Sequence, residues 1–202
     1  MNQTISSRGR ALPYLLRVLH LVGIGLWLGT LVFFPFCVAL PVISGMQALA
    51  TRPDNWLHLQ SEKEGIRLAG EFLDIVFARY FLFQLGCGLA ALIPAVTWLR
   101  QSGKVHQFRV GFLVSALVLV SANEWWLAEN VRYWRHARYA SHSAAGHATA
   151  PATTASTTAP APPHPDAEHA FQFWHTLSLA ADIVTLLLVF VTVLLAPLTP
   201  TG

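Results

Sequence analysis

The sequence predicts an all-α membrane protein in which four transmembrane helices form an up-and-down bundle. Of its 202 residues, 54% are hydrophobic and 11% are charged, whereas soluble domains carry about 25% charged residues. The hydrophobic residues are concentrated in four stretches, at 12–40, 80–99, 110–131 and 171–195. Each stretch is close to the length of about 20 residues that a helix needs to cross a bilayer. We therefore expect the lipid bilayer to be a partner of this chain.

The first apolar stretch follows a polar tail at residues 1–11. Arg8 and Arg10 in front of an apolar run are typical of a secretory signal. A signal, however, has an apolar core of only about 7–15 residues that ends at a small-residue cleavage site. The run at 12–40 is about twice as long and has no obvious site of this kind, so we expect a retained first helix. The first three helices then occupy 12–137.

Two connecting segments differ in composition. Residues 61–77 place charges between apolar residues at helical spacing, which favours an amphipathic segment at the membrane interface. A long polar overhang of helix two fits the same pattern. Residues 138–170 are rich in Ala, Thr, Ser and Pro, so we expect a disordered linker before the last helix at 171–197.

Histidines are frequent in and beside this linker. Five such side chains could collect copper or zinc, but they lack the short fixed spacing of a preorganised metal site. We therefore favour a passive linker over a metal-binding one. The five are His136, His142, His147, His164 and His169.

The charge pattern bears on partners and orientation. The chain has 13 Lys and Arg against 10 Asp and Glu, a net charge of +3, and its basic residues lie beside the apolar stretches rather than in one patch. No nucleic-acid partner is expected. Basic residues are almost evenly divided between the two sides, but the first helix and short loops weigh most. Arg8, Arg10 and the basic turn at 100–109 therefore favour cytoplasmic N- and C-termini.

Small residues and prolines mark the helices themselves. Gly25 and Gly29 form a G-x-x-x-G pattern on helix one, and Gly86 starts a similar small-residue pair on helix two. Such patterns predict close helix packing. An exposed Gly25/Gly29 face is also the one hint of a homo-oligomer or a larger membrane complex. Pro35 and Pro94 are expected to kink or end their helices.

The polar face of helix four is the most informative feature for function. His175, Ser178 and Asp182 are spaced i, i+3 and i+7, so they share one side of a helix. Asp182 lies about 16 Å along the helix, near the middle of a hydrocarbon core about 30 Å thick. An ionisable residue there must face protein or water. A carboxyl that binds protons reversibly and a neutral Asp that holds helices together are both compatible with this position.

Polar residues on the other helices extend this face into a predicted pocket. His20 shares a face with Trp27 on helix one and serves either as a functional group or as an inter-helix hydrogen-bonding residue. Asn123 and Glu124 end helix three deep enough to need partners, which leads either to a structural network or to a working site. The predicted binding or proton pocket comprises His20, Trp27, Arg79, Tyr80, Asn123, Glu124, His175, Ser178 and Asp182. No catalytic residue is predicted.

Two intramembrane histidines also raise the possibility of haem b. In an up-and-down bundle, helices one and four start on opposite sides of the membrane. The imidazoles of His20 and His175 are then separated by about 10 Å or more in depth. Because histidine–metal bonds are about 2 Å long, one iron cannot join both. A haem held by one histidine and another ligand stays open.

With these residues placed, the chain resembles the transmembrane protein 205-like family, bacterial four-span membrane proteins with a domain of unknown function. The resemblance lies in LHLVGIGLWLG at 19–29, RYF at 79–81, Asn123, and FWHTLS at 173–178. It implies a bacterial inner-membrane protein without established catalytic chemistry. The chain departs from the pattern at Asp182, where Asn is expected, and in the His-rich linker.

A weaker similarity extends to HemJ-type protoporphyrinogen oxidases and copper-resistance D proteins, which also begin a helix with His and a following Trp-x-Gly. It implies haem or copper, although the only methionines are Met1 and Met46, too few for a methionine-lined copper path. We expect a non-enzymatic membrane protein that binds or moves a small solute, proton or metal ion. A haem- or copper-containing membrane oxidoreductase and a structural subunit of a larger complex are the alternatives.

Overall fold

The computed structural model describes residues 8–59, 61–98, 103–147 and 166–196. All regular elements within these ranges are helical. In chain order they are α1 (Arg8–Phe34), a π-helical turn π1 (Pro35–Ala39), α2 (Leu40–Ala50), α3 (Glu62–Thr97), α4 (Lys104–Ala122), a second π-helical turn π2 (Asn123–Leu127), α5 (Ala128–His147) and α6 (Ala167–Leu194).

Four of these runs are long and apolar enough to cross a membrane: Leu12–Ala50, Glu62–Thr97, Lys104–Tyr139 and Ala167–Leu194. The predicted fold class, an all-α membrane protein with four transmembrane helices, is thereby confirmed. Several boundaries differ from those that composition suggested. Helix α1 begins inside the polar tail, α5 continues to His147, and α6 begins at Ala167. The predicted disordered linker can therefore occupy at most 148–165, which lie outside the described residues.

The described chain divides into two compact units, one built from residues up to Val120 together with those from Val184, the other from Ser121–Ile183. The first unit contains parts of all four membrane-crossing runs. One side chain from each, Trp27, Ala91, Leu113 and Val189, is 0% exposed in a shared hydrophobic core. Because lipid is as apolar as these side chains, close packing rather than escape from water stabilises such a core.

Within the first unit, α1 and α3 pack at a glycine that the G-x-x-x-G pattern did not indicate. A Cβ on Gly23 would lie 2.9 Å from the backbone nitrogen of Ala91, so only a glycine fits. A Cβ on Gly25 or Gly29 would meet nothing within 4 Å. The prediction that Gly25 and Gly29 mediate packing within the chain is therefore wrong, because the pattern gives a spacing but not the face that meets a neighbour.

Pro35 and Pro94 were expected to kink or end their helices. Neither ends its helix: π1 carries the chain from Pro35 into α2, and α3 continues to Thr97. At π1 the amide of Leu40 donates to the carbonyl of Pro35, an i to i+5 bond of the kind found in π-helical turns.

Residues 62–77 form the first part of α3 and continue without a break into its apolar part, which is the arrangement of the polar-overhang alternative. Ser61 caps this helix by accepting a hydrogen bond from the amide of Glu64 over 3.4 Å, which favours the start of a helix there. Gly65 then allows α2 to approach, since a Cβ on it would lie 2.5 Å from the carbonyl oxygen of Met46.

Candidate functional site

A hydrogen-bonded network joins π2 to α6 inside the second unit. The side-chain amide of Asn123 donates to Oδ1 of Asp182 over 2.8 Å and to the backbone carbonyl of Ser178 over 3.4 Å. The hydroxyl of Ser178 donates to Oδ1 of Asn123 over 2.6 Å. Asn123 is only 1% exposed, so the network holds a buried amide between two residues of the predicted polar face.

Asp182 lies near the middle of α6. It is about 22 Å along the axis from Ala167 and about 18 Å from Leu194 at 1.5 Å per residue. Among the described residues, no basic side chain forms an ion pair with this carboxyl, and only its Oδ1 takes part in a hydrogen bond. One oxygen is therefore fixed by a neutral amide, whereas the other has no hydrogen-bond partner among the described residues.

The π-helical turn positions Asn123 for this contact. The amide of Ala128 donates to the carbonyl of Asn123, and the extra residue in the turn lets Asn123 and Leu127 face inward while Trp125 and Trp126 are exposed. Such π-turns occur frequently at functional sites. Hydrophobic periodicity alone gave no sign of it.

Two other predicted pocket residues of the second unit take no part in this network. The ring of His175 stacks on Phe171, with centroids 5.6 Å apart and 7° between the planes, and its side chain is exposed. Glu124 has no hydrogen bond or ion pair with another described residue. The structure thus brings Asn123, Ser178 and Asp182 together, and leaves Glu124 and His175 outside.

A second polar cluster lies in the first unit around His20. The Nδ1–H of His20 donates to the carbonyl oxygen of Ala91 over 2.6 Å, and its Nε2 accepts a hydrogen bond from Arg109. A neighbouring imidazole, that of His106, donates to the carbonyl oxygen of Ala95 over 2.8 Å. All three polar side chains are buried. Sequence reasoning missed this cluster because it assigned Arg109 to a basic turn at 100–109, whereas Arg109 is a buried residue of α4.

The geometry at His20 bears on the haem alternative. A haem iron needs the lone pair of an imidazole nitrogen, but Nδ1 carries a hydrogen toward Ala91 and the lone pair of Nε2 faces Arg109. Of the two roles considered for His20, the inter-helix hydrogen-bonding role is the one that this arrangement fulfils. His20 does not fit as a haem ligand in this conformation.

The remaining predicted residues, Trp27, Tyr80 and Arg79, also belong to the first unit. The indole of Trp27 donates to Oε1 of Gln84 over 3.1 Å, and the ring of Tyr80 stacks on Phe34 with centroids 4.1 Å apart. Both are buried core residues. Arg79, by contrast, is exposed. Trp27 and Tyr80 thus belong to the hydrophobic core of the first unit.

Metal binding has no support from the described side chains. No group of three His, Cys, Asp or Glu residues among them is arranged to hold a metal ion. Most of the His-rich linker lies outside the part of the chain that is described.

Four apolar helices and a polar network at mid-helix depth define an integral membrane protein. Comparison of the chain with known protein families, with curated proteins and with solved structures finds no match.

Proposed function

We propose that this integral membrane protein binds and releases protons at Asp182 and thereby moves protons, alone or together with a small solute. The observation that supports this proposal is the asymmetric environment of the carboxyl: Oδ1 is held by Asn123, whereas Oδ2 has no hydrogen-bond partner among the described residues. Ionisable groups at membrane depth commonly mark proton relays and ion pathways.

Two features of the network favour exchange of a proton over a static contact. A permanently charged carboxylate at this depth would be costly without a cation beside it. An asparagine would accept the hydrogen bond from Asn123 equally well without that cost. A carboxyl is needed only if its protonation changes.

A metal ion is less compatible with the same geometry. Calcium takes six to eight oxygen ligands and magnesium demands a nearly ideal octahedron, whereas this network leaves one carboxylate oxygen without a hydrogen bond. A proton needs only that oxygen. The bound species is therefore a proton rather than a divalent cation.

The proposal also covers the family, the membrane location and the orientation of the protein. The quoted motifs support membership of the transmembrane protein 205-like family and a bacterial inner-membrane location. Arg8 and Arg10 before the first span, with Arg100 and Lys104 between the second and third, support cytoplasmic termini. Self-association through α1 is supported by the exposed positions of Gly25 and Gly29.

Proton flux into liposomes tests the central claim. Protein is reconstituted with a trapped pH-sensitive dye, and a potassium diffusion potential drives protons across the membrane. We expect flux in the wild type and the level of empty liposomes in Asp182→Asn, which keeps the acceptor for Asn123. Glu71→Gln is the control, because Glu71 is an exposed carboxylate paired with Arg67 at 3.7 Å.

Equal flux in the wild type and Asp182→Asn would contradict the proposal. So would a wild type that conducts no protons and whose infrared spectrum shows no carboxyl band that responds to pH and disappears in Asp182→Asn.

A further inference from the structure

An apolar groove runs between α1 and α3 on the exposed side of the first unit. Its volume is about 480 Å³, within the range of about 300–1,000 Å³ that ligand pockets occupy. Leu26 on α1 and Leu82 and Phe83 on α3 form its walls, and all three are exposed large hydrophobic residues. Gly86 leaves the groove open, since a Cβ there would meet nothing within 4 Å.

Arg79 lies at one end of this groove. It is exposed, and no hydrogen bond or ion pair joins it to another described residue. It also directly precedes the apolar stretch at 80–99, where α3 enters the hydrocarbon region. The groove therefore combines a cation at the membrane boundary with apolar walls beyond it.

The length of the groove matches one leaflet. From Arg79 to Ala90, the groove residues farthest apart on α3, the helix rises about 16 Å. Half of a hydrocarbon core of about 30 Å is nearly the same distance. A lipid whose headgroup lies beside Arg79 would thus place its acyl chain along the whole groove.

The geometry points to a binding site for one anionic phospholipid, with an acyl chain in the groove and the phosphate paired with Arg79. Arginine suits this role because its guanidinium binds phosphate oxygens through two parallel hydrogen bonds. Basic residues at the headgroup level also select anionic lipids. A water-soluble phosphate would leave the apolar walls unfilled, so the two parts of the site together favour a lipid.

Three variants separate the charge from the groove. Arg79→Gln removes the cation, and Arg79→Lys keeps it. Gly86→Leu fills the groove, and the open space around the Cβ position allows the chain to fold. Gly111→Leu is its matched control, because Gly111 has equally open surroundings and does not line the groove.

Native mass spectrometry of protein released from bilayers of mixed phosphatidylglycerol and phosphatidylcholine measures the bound lipid. We expect selective retention of phosphatidylglycerol by the wild type, Arg79→Lys and Gly111→Leu. Arg79→Gln should lose about fivefold in selectivity, the effect of one basic residue near the headgroups. Gly86→Leu should retain neither lipid, and excess inorganic phosphate should displace nothing.

Unchanged selectivity in Arg79→Gln, or lipid retention by Gly86→Leu at the wild-type level, would overturn the proposal. Displacement by inorganic phosphate would show a soluble-anion site instead. A lipid-free dimer that Gly86→Leu dissociates would show that a second copy of the chain fills the groove. Proton flux is not required for any of these outcomes, so this site and that of Asp182 are tested separately.

Discussion

Arg109 donates a hydrogen bond to Nε2 of His20, joining two buried side chains that are 89 residues apart in the chain. The other ring nitrogen of His20 donates to the carbonyl oxygen of Ala91. One imidazole thus links α1 to both α3 and α4. The hydrogen bonds of His20 to Arg109 and to Ala91 offset part of the cost of burying a histidine and an arginine here, because buried polar groups need partners.

His20→Ala should therefore lower the stability of the protein markedly. The substitution leaves the buried guanidinium without one of its acceptors, and hydrogen bonds to charged groups contribute about 1.5–3 kcal/mol. We expect a loss of about 2–3 kcal/mol in denaturant unfolding in mixed micelles, whereas His136→Ala, at an exposed position, should be nearly neutral. In a double-mutant cycle with Arg109→Met, fully additive effects would contradict the pairing.

The absorbance spectrum of the purified protein should show no haem Soret band that depends on His20. Both ring nitrogens are engaged, so neither is free to bind iron. The spectrum is recorded after expression with added haem precursor, in the wild type and in His20→Ala. A Soret band in the wild type that disappears in His20→Ala would contradict this expectation and favour the oxidoreductase alternative.

Gly23→Ala should destabilise the packing of α1 on α3, whereas Gly25→Ala should not. The new Cβ at Gly23 would lie 2.9 Å from the Ala91 nitrogen and 3.0 Å from the Cys87 oxygen, both of which belong to backbone that cannot move independently. Overpacking of this kind costs about 1–3 kcal/mol. Thermal unfolding of the two variants provides the comparison, and equal melting temperatures would count against a close approach at Gly23.

The sequence allowed the spans and the polar face of α6 to be predicted, because both depend on local periodicity. Ser178 and Asp182 were placed on one face by their spacing, and Asn123 was expected to need a partner. Contacts between distant segments follow from packing instead. The partnership of His20 with Arg109 depends on which faces of α1 and α4 meet. Whether Gly23 or Gly25 contacts α3 likewise depends on how α1 is rotated about its own axis.

Asn123→Leu should lower the stability of the protein more than Ser178→Ala or Asp182→Asn. It removes all three hydrogen bonds between π2 and α6. At an average of about 0.6 kcal/mol for each inter-helix hydrogen bond in a membrane protein, the loss should be about 2 kcal/mol. Ser178→Ala should cost about 0.6 kcal/mol, and Asp182→Asn almost nothing because the acceptor remains. Denaturant titrations that measure the free energy of unfolding of the three variants test this order. A strongly destabilised Asp182→Asn would contradict it.

Cysteine labelling should locate the two ends of α3 on opposite sides of the membrane. Trp56, exposed in the segment before α3, and Lys104, exposed at the start of α4, are each replaced by Cys after Cys37 and Cys87 are changed to Ser. If the termini are cytoplasmic, a membrane-impermeant maleimide should label Trp56→Cys in intact spheroplasts. It should label Lys104→Cys only after permeabilisation, because the basic residues Arg8, Arg10 and Arg100 favour the cytoplasmic side. The reverse pattern would show that the positive charges of the segments after α2 and around α5 determine the orientation instead.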